Sequence, residues 1–425
     1  MSNGRRVAAN ALLRVEKDGA YSNLVLNDAI KSASLDKSEA SFVSALFYGV
    51  LERKITLDYY IKKLSKLSIK KISPLTLMVL RTGLYQILYM DKIPDSAAVN
   101  EAVKIIKHSK EARSSGFVNA VLRNALRDLP SLPKPESAED ISVIYSCDVS
   151  LCEKLIEYYG IKNTIEILSC SLEKSKLYIR VNPLKTSVDE LVSLLSADGI
   201  MCEKTELEYC LCLKNSGSIE TNKLYKQGYF HVQDISSQIC ATTLDAKEGH
   251  VVLDTCAAPG GKTFTIAENM KNKGALTSCD LHPHRVKLIA DGAGRLGLSI
   301  INAFVSDASV LVQDWVLKFD RVLCDVPCSG SGIISRKPDI KYKDFSSFSD
   351  LTDLQYKILS NGFKYLKTGG KIVYSTCSIL RDENESVIEK FLSENPDAAF
   401  LSMHTYLPHI DNTDGFFIAV LEKRG

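Results

Sequence analysis

The carboxyl-terminal half of the sequence alternates between short apolar runs and amphipathic segments, and this alternation constrains the fold more than any other feature. From about residue 236, strands are predicted at 251–254, 276–280, 301–306, 319–326, 371–376 and 416–422. Helices are predicted between them at 262–270, 283–296, 350–366 and 382–393. An alternation of this kind is typical of a doubly wound, mostly parallel sheet. The sequence therefore predicts an α/β domain.

Two other regions precede this domain. With 425 residues the chain is too long for one ordinary core, so two or three domains are expected. The first region has helical periodicity without a strand pattern, which indicates a helical bundle. A proline-rich stretch then leads into two short helices and a small α+β module. The predicted boundaries of the three domains are 1–135, 136–235 and 236–425.

The positive charge is concentrated at the amino-terminal end. Residues 1–130 hold 21 lysines and arginines against 12 aspartates and glutamates, a net charge of +9, whereas the whole chain carries only +2. A basic module on a mildly acidic body indicates a polyanionic partner. The alternative is a set of solvated helix faces without a partner.

The composition argues against several classes of protein. No apolar run of about 18 residues is present, and the start of the chain lacks the apolar core of a signal peptide, so a cytoplasmic protein is expected. The 12 cysteines include no Cys-x-x-Cys pair, which argues against a structural zinc site. Most of them fit small buried side chains in a reducing compartment. No metal is predicted.

A glycine-rich turn follows the first predicted strand. It runs from Asp254 to Thr263 and contains Gly260 and Gly261 before a predicted helix. Small residues let the backbone approach a ligand closely, and the helix then offers unpaired N–H groups. The turn is neither the G-x-G-x-x-G pattern of nicotinamide enzymes nor a Walker loop. A turn without any ligand is the alternative.

An acidic residue ends each of the next two predicted strands. Asp280 is placed to accept hydrogen bonds from both ribose hydroxyls of an adenosine ligand. Asp307 is placed to meet an adenine amino group. Either residue could instead be a helix cap.

Two cysteine motifs end the next strands. Pro327-Cys328-Ser329 follows the strand predicted at 319–326, and Thr376-Cys377-Ser378 ends the one at 371–376. Ligands of open parallel sheets bind outside the carboxyl ends of the strands, so both thiols can face one pocket. Paired thiols beside a methyl donor suggest methylation of a pyrimidine at carbon 5. On chemistry alone, either cysteine could be the nucleophile.

Several runs of residues resemble the RNA 5-methylcytosine methyltransferases. They are DTCAAPGGKT, CDVPCSGSG followed by RKPDIKY, VYSTCSIL followed by DENE, and a carboxyl-terminal stretch at 411–417 that resembles the family's hairpin. The runs GRRVAANALLRVEKDGAYSN and GFVNAVLRNALR look like the NusB-type RNA-binding fold. Together they resemble the bacterial ribosomal RNA small subunit methyltransferase B family, also called Sun or Fmu, over nearly the whole chain.

The resemblance implies a multidomain fold. Residues 1–135 would form an all-α NusB-like bundle that binds RNA. Residues 136–235 would hold linker helices and a small α+β, RRM-like module that binds RNA. Residues 236–425 would form a Rossmann-like, S-adenosylmethionine-dependent methyltransferase domain.

The resemblance also implies a donor, a substrate and a site. The donor is S-adenosyl-L-methionine, and the substrate is a cytosine of 16S ribosomal RNA, unassembled or partly assembled, modified by a monomeric enzyme. Cys377 is implied as the nucleophile that attacks carbon 6, Cys328 as the residue that assists release, and Asp325 as the residue that orients the base. The residues implied to bind the donor are Cys256, Ala257, Ala258, Pro259, Gly260, Gly261, Lys262, Asp280, Arg285, Asp307 and Asp325.

Three alternatives remain open at the level of sequence. A DNA cytosine methyltransferase would need a long target-recognition insert, which this chain lacks. A methyltransferase that acts on another RNA, such as tRNA, would carry the same motifs. A non-catalytic RNA-binding or antitermination factor would need only the helical domain.

Overall fold

A computed structural model describes the whole chain except residues 1–3, 21, 174, 216 and 218. The chain forms two compact units. The first consists of Met1–Leu172 together with Lys337–Ser346, and the second of Glu173–Arg336 together with Ser347–Gly425. The segment 337–346 thus belongs to the first unit, although the chain before and after it belongs to the second.

The first unit is helical, as predicted. Its apolar core includes Leu46, Phe47, Leu80 and Leu84, whose side chains are inaccessible to solvent. The described helices are α1 (Gly4–Asp18), α2 (Ser22–Ser32), α3 (Lys37–Glu52), α4 (Lys54–Leu64), α5 (Pro74–Tyr89), α6 (Asp95–Lys107), α7 (Ser115–Arg127), α8 (Ala138–Tyr145) and α9 (Val149–Cys170), the last with non-helical backbone at Gly160.

The start of α5 shows how a distant side chain can complete a helix. Ser73 followed by Pro74 predicts an N-cap with a first-turn proline. The helix begins at Pro74, but the Ser73 side chain makes no capping bond within it. Instead, the Glu111 carboxylate accepts from the Ser73 hydroxyl at 2.5 Å and from the Thr76 backbone N–H at 2.8 Å. A carboxylate at this position also interacts favourably with the helix dipole.

The segment 337–346 is an integral part of the first unit. The side chain of Lys341 is inaccessible to solvent, and burial lowers its pKa. The Lys341 carbonyl accepts from the Asp148 N–H at 2.6 Å, and the Tyr342 hydroxyl lies 3.0 Å from that of Ser146. Phe345, also fully buried, donates its N–H to the Ser150 hydroxyl at 2.8 Å. Both backbone groups and side chains of the segment are therefore bonded to residues of the first unit.

The second unit begins with a small α+β module. Its antiparallel sheet has the strand order β2-β3-β1-β4. The elements are β1 (Leu177–Val181), α10 (Val188–Ala197), β2 (Cys202–Lys204), β3 (Cys210–Leu213), α11 (Lys223–Lys226) and β4 (Phe230–Val232). The predicted strand at 177–181 and the helix capped by Ser187 are confirmed.

Both faces of this small sheet are covered. Ile179 and Leu211 pack with Leu191 on the side of α10. On the opposite face, Tyr178 packs with Ile235, the first residue of the helix that follows the module. An RRM stacks RNA bases on its open sheet face. In this chain that face is buried. RNA binding by the module remains a prediction, and if the module binds RNA, it must do so through other surfaces.

The remainder of the second unit is the predicted doubly wound domain. Its elements are α12 (Ile235–Thr243), β5 (Val251–Asp254), α13 (Gly261–Asn269), β6 (Ala275–Asp280), α14 (Pro283–Leu296), β7 (Ile301–Val305), β8 (Phe319–Asp325), α15 (Ser349–Tyr365), β9 (Leu366–Thr376), α16 (Glu385–Glu394), β10 (Ala398–Tyr406), α17 (Pro408–Asp411) and β11 (Phe416–Lys423). The six predicted strands are all present. The sequence does not predict α12 or β10; the middle of β10 is exposed and so lacks the buried face of a strand.

The sheet topology fixes where a ligand can bind. The strand order is β10-β11-β9-β8-β5-β6-β7, with β5 to β9 parallel and β11 antiparallel to both of its neighbours. The chain runs outward from β5 through β6 to β7 and then crosses to β8 on the other side of β5. Ligands of such sheets bind at this switch point, outside the carboxyl ends of the strands. The glycine-rich turn and both cysteine motifs follow strands that end there.

Over the described part of the chain, no helix is long and apolar enough to cross a bilayer. The same residues contain no group of three or more His, Cys, Asp and Glu side chains placed to hold a metal ion.

Candidate active site

The turn after β5 brings backbone close to the switch point. Gly260 has a φ of +113°, and a Cβ there would lie 2.3 Å from the ring of Phe264, so only glycine fits. The Ala257 N–H donates to the Cys279 carbonyl at 2.7 Å, which ties the turn to β6. Helix α13 starts at Gly261 and directs its first N–H groups toward the turn. The turn is therefore shaped to hold a ligand against backbone.

Asp254, the last residue of β5, is a buried acid beneath this turn. Its Oδ2 accepts from the Thr263 hydroxyl at 2.6 Å, whereas its Oδ1 has no hydrogen-bond partner within the described protein. Burial raises the pKa of Asp254 to about 7. A buried acceptor without a partner is costly, so a donor group from a ligand or water would stabilise it.

Asp280 and Arg285 join the end of β6 to the glycine-rich turn. Asp280 is 3% exposed, and its Oδ1 accepts from the His282 N–H at 3.2 Å. Its Oδ2 lies 3.2 Å from Arg285 Nη1, and Arg285 Nη2 donates to the Ala258 carbonyl at 2.9 Å. Asp280 is thus bonded to the N-cap residue of α14, His282, without capping the helix itself, and it is also linked to the glycine-rich turn through Arg285. Its predicted contact with a ribose remains a prediction.

Asp307 lies after β7 and is exposed. Its Oδ1 accepts from the backbone N–H of Ser309 at 2.9 Å and from the Ser309 hydroxyl at 2.7 Å. These bonds close a local turn and do not cap a helix, since no helix begins between the end of β7 and residue 313. The second carboxylate oxygen stays available for a ligand. The proposed contact with adenine stays a prediction.

A partly buried ion pair links the ends of β8 and β9 to α13. Lys262 Nζ lies 2.7 Å from Asp325 Oδ2, and the Ser375 hydroxyl donates to Asp325 Oδ1 at 2.8 Å. Burial would lower the pKa of Lys262, but the carboxylate of Asp325 outweighs it and raises that pKa above its ordinary value. The side chains are only 13% and 26% exposed. A charged amine and a carboxylate are therefore held together at the switch point.

The two motif cysteines meet next to this ion pair. Cys328 Sγ and Cys377 Sγ are 3.2 Å apart, and both residues are partly accessible. The Gly332 N–H donates to the Cys377 carbonyl at 3.0 Å, which joins the two loops through backbone. The hydrogen bond with Cys377, together with burial, raises the pKa of Cys328 well above its ordinary value. The sequence-based expectation that the two thiols share one pocket agrees with this geometry.

One buried acid beside the cysteines was not assigned a role from the sequence. Glu383 lies in a 3₁₀ turn after β9 and is inaccessible to solvent. It accepts hydrogen bonds from Ser329 and Ser378, the residues that follow the two cysteines. Its position in the DENE run is a signal in the sequence, but its partners lie on other segments and are not visible there.

Three family models match the chain. The model described as 16S rRNA methyltransferase RsmB/F matches residues 241–422. The NusB family model matches residues 2–127, and a ferredoxin-like domain of RsmF/B-like methyltransferases matches residues 150–220. The NusB match lies within the helical unit and the RsmB/F match within the doubly wound domain, whereas the ferredoxin-like match covers α9 and most of the small α+β module.

Relatives with known names match over their full length. The chain is 39% identical to the probable ribosomal RNA small subunit methyltransferase B of Bacillus subtilis, with 99% of each chain covered. It is 32% identical to the ribosomal RNA small subunit methyltransferase B of Vibrio cholerae, with 99% of this chain and 98% of the relative covered. Among solved structures, the crystal structure of PH0851 matches with a TM-score of 0.83 and 25% identity, covering 100% of this chain and 99% of the other.

Proposed function

Because the chain belongs to the RsmB/F family of 16S rRNA methyltransferases, which use S-adenosylmethionine as methyl donor, we propose that it methylates carbon 5 of a cytosine in 16S ribosomal RNA. The observation that carries the proposal is the pair of thiols 3.2 Å apart at the carboxyl ends of β8 and β9. One thiol suffices to attack the base, and we infer that the second one, at this distance, assists its release.

The glycine-rich turn fits the donor. Gly260 and the start of α13 provide the close backbone approach that a nucleoside with an amino-acid tail needs. The free Oδ1 of Asp254 lies beneath the turn, and Asp280 stands at the end of the neighbouring strand, where ribose hydroxyls are bound in such folds. We assign donor binding to the turn from Cys256 to Lys262 and to Asp280, with Arg285 holding Asp280 against the turn.

The reaction requires an activated carbon 5. The thiolate of Cys377 adds to carbon 6 of the cytosine, which forms an S–C6 bond and makes carbon 5 nucleophilic. Carbon 5 then forms a bond to the donor's methyl carbon, whose bond to sulfur breaks, and S-adenosylhomocysteine leaves. A base removes the proton on carbon 5, the C5–C6 double bond is restored and the Cys377 thiolate is expelled. A base in a ribosomal RNA must leave its stack to reach such a pocket.

The surroundings of the thiols support Cys377 as the nucleophile. Lys262 and Cys377 interact electrostatically, and the negative form of Cys377 raises the pKa of Lys262. By reciprocity, the ammonium group stabilises the Cys377 thiolate. Cys328, whose pKa is raised, is held as the neutral thiol in the free enzyme and can act once its neighbour is bound to the base. Asp325 keeps free lone pairs with which to accept from the amino edge of the cytosine.

The test uses the purified enzyme with 16S RNA from a strain that lacks it, radiolabelled donor, and mass analysis of the nucleosides. Cys377→Ala should abolish 5-methylcytosine formation and leave donor affinity near normal, because the thiol attacks the base. Cys328→Ala should permit attack and methyl transfer but slow release, so that a protein–RNA adduct survives a denaturing gel.

Cys202→Ala, which removes another partly accessible thiol in β2, is the matched control and should behave as the wild type. Turnover by Cys377→Ala would contradict the nucleophile assignment, and an adduct with Cys377→Ala instead of Cys328→Ala would reverse the two roles. Methylation of tRNA or DNA in place of 16S RNA would reject the substrate. Donor binding without methylation of any nucleic acid would favour a non-catalytic RNA-binding factor.

A further inference from the structure

Glu383 connects the two cysteine loops to each other. Its Oε1 accepts from the Ser329 N–H at 2.7 Å, and its Oε2 accepts from the Ser329 hydroxyl at 2.5 Å and from the Ser378 hydroxyl at 2.5 Å. Ser329 directly follows Cys328, and Ser378 directly follows Cys377. A single carboxylate therefore bonds the residue next to each thiol.

The position of Glu383 is itself fixed from several directions. Gln355 on α15 donates to Oε1 at 3.0 Å, and the Tyr374 hydroxyl donates to the Glu383 carbonyl at 2.6 Å. The next residue, Asn384, accepts from the Thr376 hydroxyl at 2.6 Å. Glu383 consequently has little freedom, and the loops bonded to it share that rigidity.

All these partners are neutral groups, and their donors converge on both oxygens of the Glu383 side chain, which is therefore held by hydrogen bonds rather than by an ion pair. Burying a carboxylate is expensive, and neutral residues of similar shape would hold two loops together at lower cost. The negative charge therefore calls for an explanation beyond stability. Its nearest chemical group with a role in the proposed reaction is the Cys328–Cys377 pair.

We propose that Glu383 is a positioning residue of the methyl transfer: it fixes the two cysteine loops, and with them the two thiols, relative to each other. Its charge in addition disfavours a second thiolate, on Cys328, beside the nucleophile. The inference rests on the proposed function, since it assigns different ionisation states to the two thiols. Catalysis needs such positioning because a displacement of about 1 Å can cost a hundredfold in rate.

Several charged or titratable groups bear on Cys328. Cys377, Glu383 and Asp325 all raise its pKa, and Cys328 in turn interacts with the Tyr374 hydroxyl on β9. Lys262, paired with Asp325, is the cation of this group and interacts with Cys377. Of these groups, only Glu383 both acts on Cys328 electrostatically and bonds both cysteine loops. A mutation of Glu383 can therefore remove its charge while the other charged groups stay in place.

The test compares Glu383→Gln with the wild type by alkylation with iodoacetamide, read by peptide mass mapping over a pH series. Gln keeps the size of the side chain and one acceptor oxygen but removes the charge. The pH at which Cys328 reacts should fall, because a neighbouring like charge is removed. The kcat of RNA methylation should fall about ten- to a hundredfold, with the KM for RNA and the affinity for the donor unchanged.

Glu268→Gln is the matched control. Glu268 is also fully buried, but its partner is Arg180 at 2.7 Å, so this variant should lose stability without a shift in Cys328 alkylation. Ser329→Ala removes one hydroxyl from the network and keeps the charge; it should lower kcat without moving the alkylation profile. If Glu383→Gln does not fold, a normal kcat in Ser329→Ala overturns the proposal.

If folded Glu383→Gln has an unchanged alkylation profile and an unchanged kcat, the proposal is overturned and Glu383 has a structural role only. The alkylation readout needs neither RNA nor donor. It therefore tests Glu383 even if Cys377→Ala shows that the methylation proposed above is wrong, and the two failures can be distinguished.

Discussion

At the scale of single residues, two chemically identical thiols acquire different properties from their surroundings. Cys377 interacts electrostatically with the Lys262 ammonium, whereas the pKa of Cys328 is raised first by its hydrogen bond with Cys377 and by burial, and then by charges that include Glu383. Enzymes use the same means to give two carboxylates separate roles as acid and nucleophile. The sulfur–sulfur distance of 3.2 Å makes this separation necessary, because two thiolates so close together would repel each other.

Asp280 provides a test of donor binding at one side chain. Asp280→Ala should weaken S-adenosylmethionine binding, since the loss of hydrogen bonds to a charged acceptor costs roughly 1.5–3 kcal/mol, about ten- to a hundredfold in affinity. Isothermal titration calorimetry measures this directly. Asp291→Ala is the control in the helix that follows, α14, because Asp291 is exposed and forms an ion pair with Lys287. An unchanged dissociation constant for Asp280→Ala would leave Asp280 with a structural role only, in its bonds to His282 and Arg285.

Asp254 makes stability depend on pH in a predictable direction. Its pKa is raised to about 7 by burial from an ordinary value of 3.8. Between these values the unfolded chain has lost the proton and the folded protein keeps it, so stability falls as the pH rises and levels off above about 7. At about 1.4 kcal/mol for each unit between the two values, the total loss is on the order of 4 kcal/mol.

Asp254→Asn should remove this dependence, because Asn resembles the protonated acid and still accepts from Thr263. Thermal unfolding without donor should show a small advantage of the variant at pH 5 that grows toward pH 7 and then stays constant. Asp307→Asn, an exposed acid on the same side of the sheet, should show no such trend. Parallel curves for Asp254→Asn and the wild type would mean that Asp254 is ionised in the folded protein.

At the scale of elements, the sequence predicted those features that depend on local pattern. The end of β5 at Asp254 and the limits of α14 agree with the structure to the residue. The approach of Cys328 to Cys377 was also foreseeable, because carboxyl ends of parallel strands share an edge. The hydrogen-bond network of Glu383 could not be predicted. Ser329 and Glu383 are 54 positions apart, and a hydrogen bond between two such distant residues produces no repeating pattern in the sequence.

The small sheet shows the same limit. Its strand and helix patterns are visible in the sequence, but the packing of α12 over Tyr178 is not. A strand has the same sequence pattern whether its second face contacts RNA or a helix. Tertiary packing decided this case. The consequence can be tested at one buried aromatic side chain.

Tyr178→Ala should destabilise the protein by about 3 kcal/mol, the loss typical of removing a buried aromatic ring, because Tyr178 is only 6% exposed. RNA affinity of the folded variant should be unchanged. Val232→Ala, which truncates a side chain 45% exposed in the same sheet, is the control and should alter stability little. Urea unfolding and filter binding give the two readouts. A loss of RNA affinity without a loss of stability would restore the RRM-like role of the sheet face.

At the scale of the whole molecule, the positive charge of residues 1–130 belongs to a unit that also contains 337–346. Deletion of the amino-terminal region would therefore be a poor test of RNA binding. It would remove the Glu52 and Leu51 carbonyl groups that accept from the Lys341 ammonium and the Tyr342 hydroxyl, and it would expose Lys341, whose side chain is inaccessible to solvent in the intact protein. A loss of RNA affinity after such a deletion would not distinguish lost phosphate contacts from damaged structure, so the charge must be changed within the full chain.

Lys66, Lys70 and Lys71 offer that change. They are exposed, and the segment 62–71 carries five lysines without an acidic residue. Converting all three to Gln should weaken RNA binding and reduce the slope of log affinity against log salt by roughly two to three, since each phosphate contact contributes about 0.7–0.9. Donor affinity should not change. Filter binding across a salt series measures the slope.

The matched control removes three lysines that lie before the amino ends of strands in the large sheet. Lys247, Lys271 and Lys273 precede β5 and β6, away from the carboxyl ends of the strands, and pair with Asp245 and Glu248. Their conversion to Gln changes the net charge of the protein by the same amount, so it should reproduce any non-specific effect of charge and leave the salt slope intact. Equal slopes for both triple variants and the wild type would mean that the lysines at 66–71 are a solvated surface. Ribosomal RNA would then be held by other residues, and the basic excess of the first unit would not be its binding site.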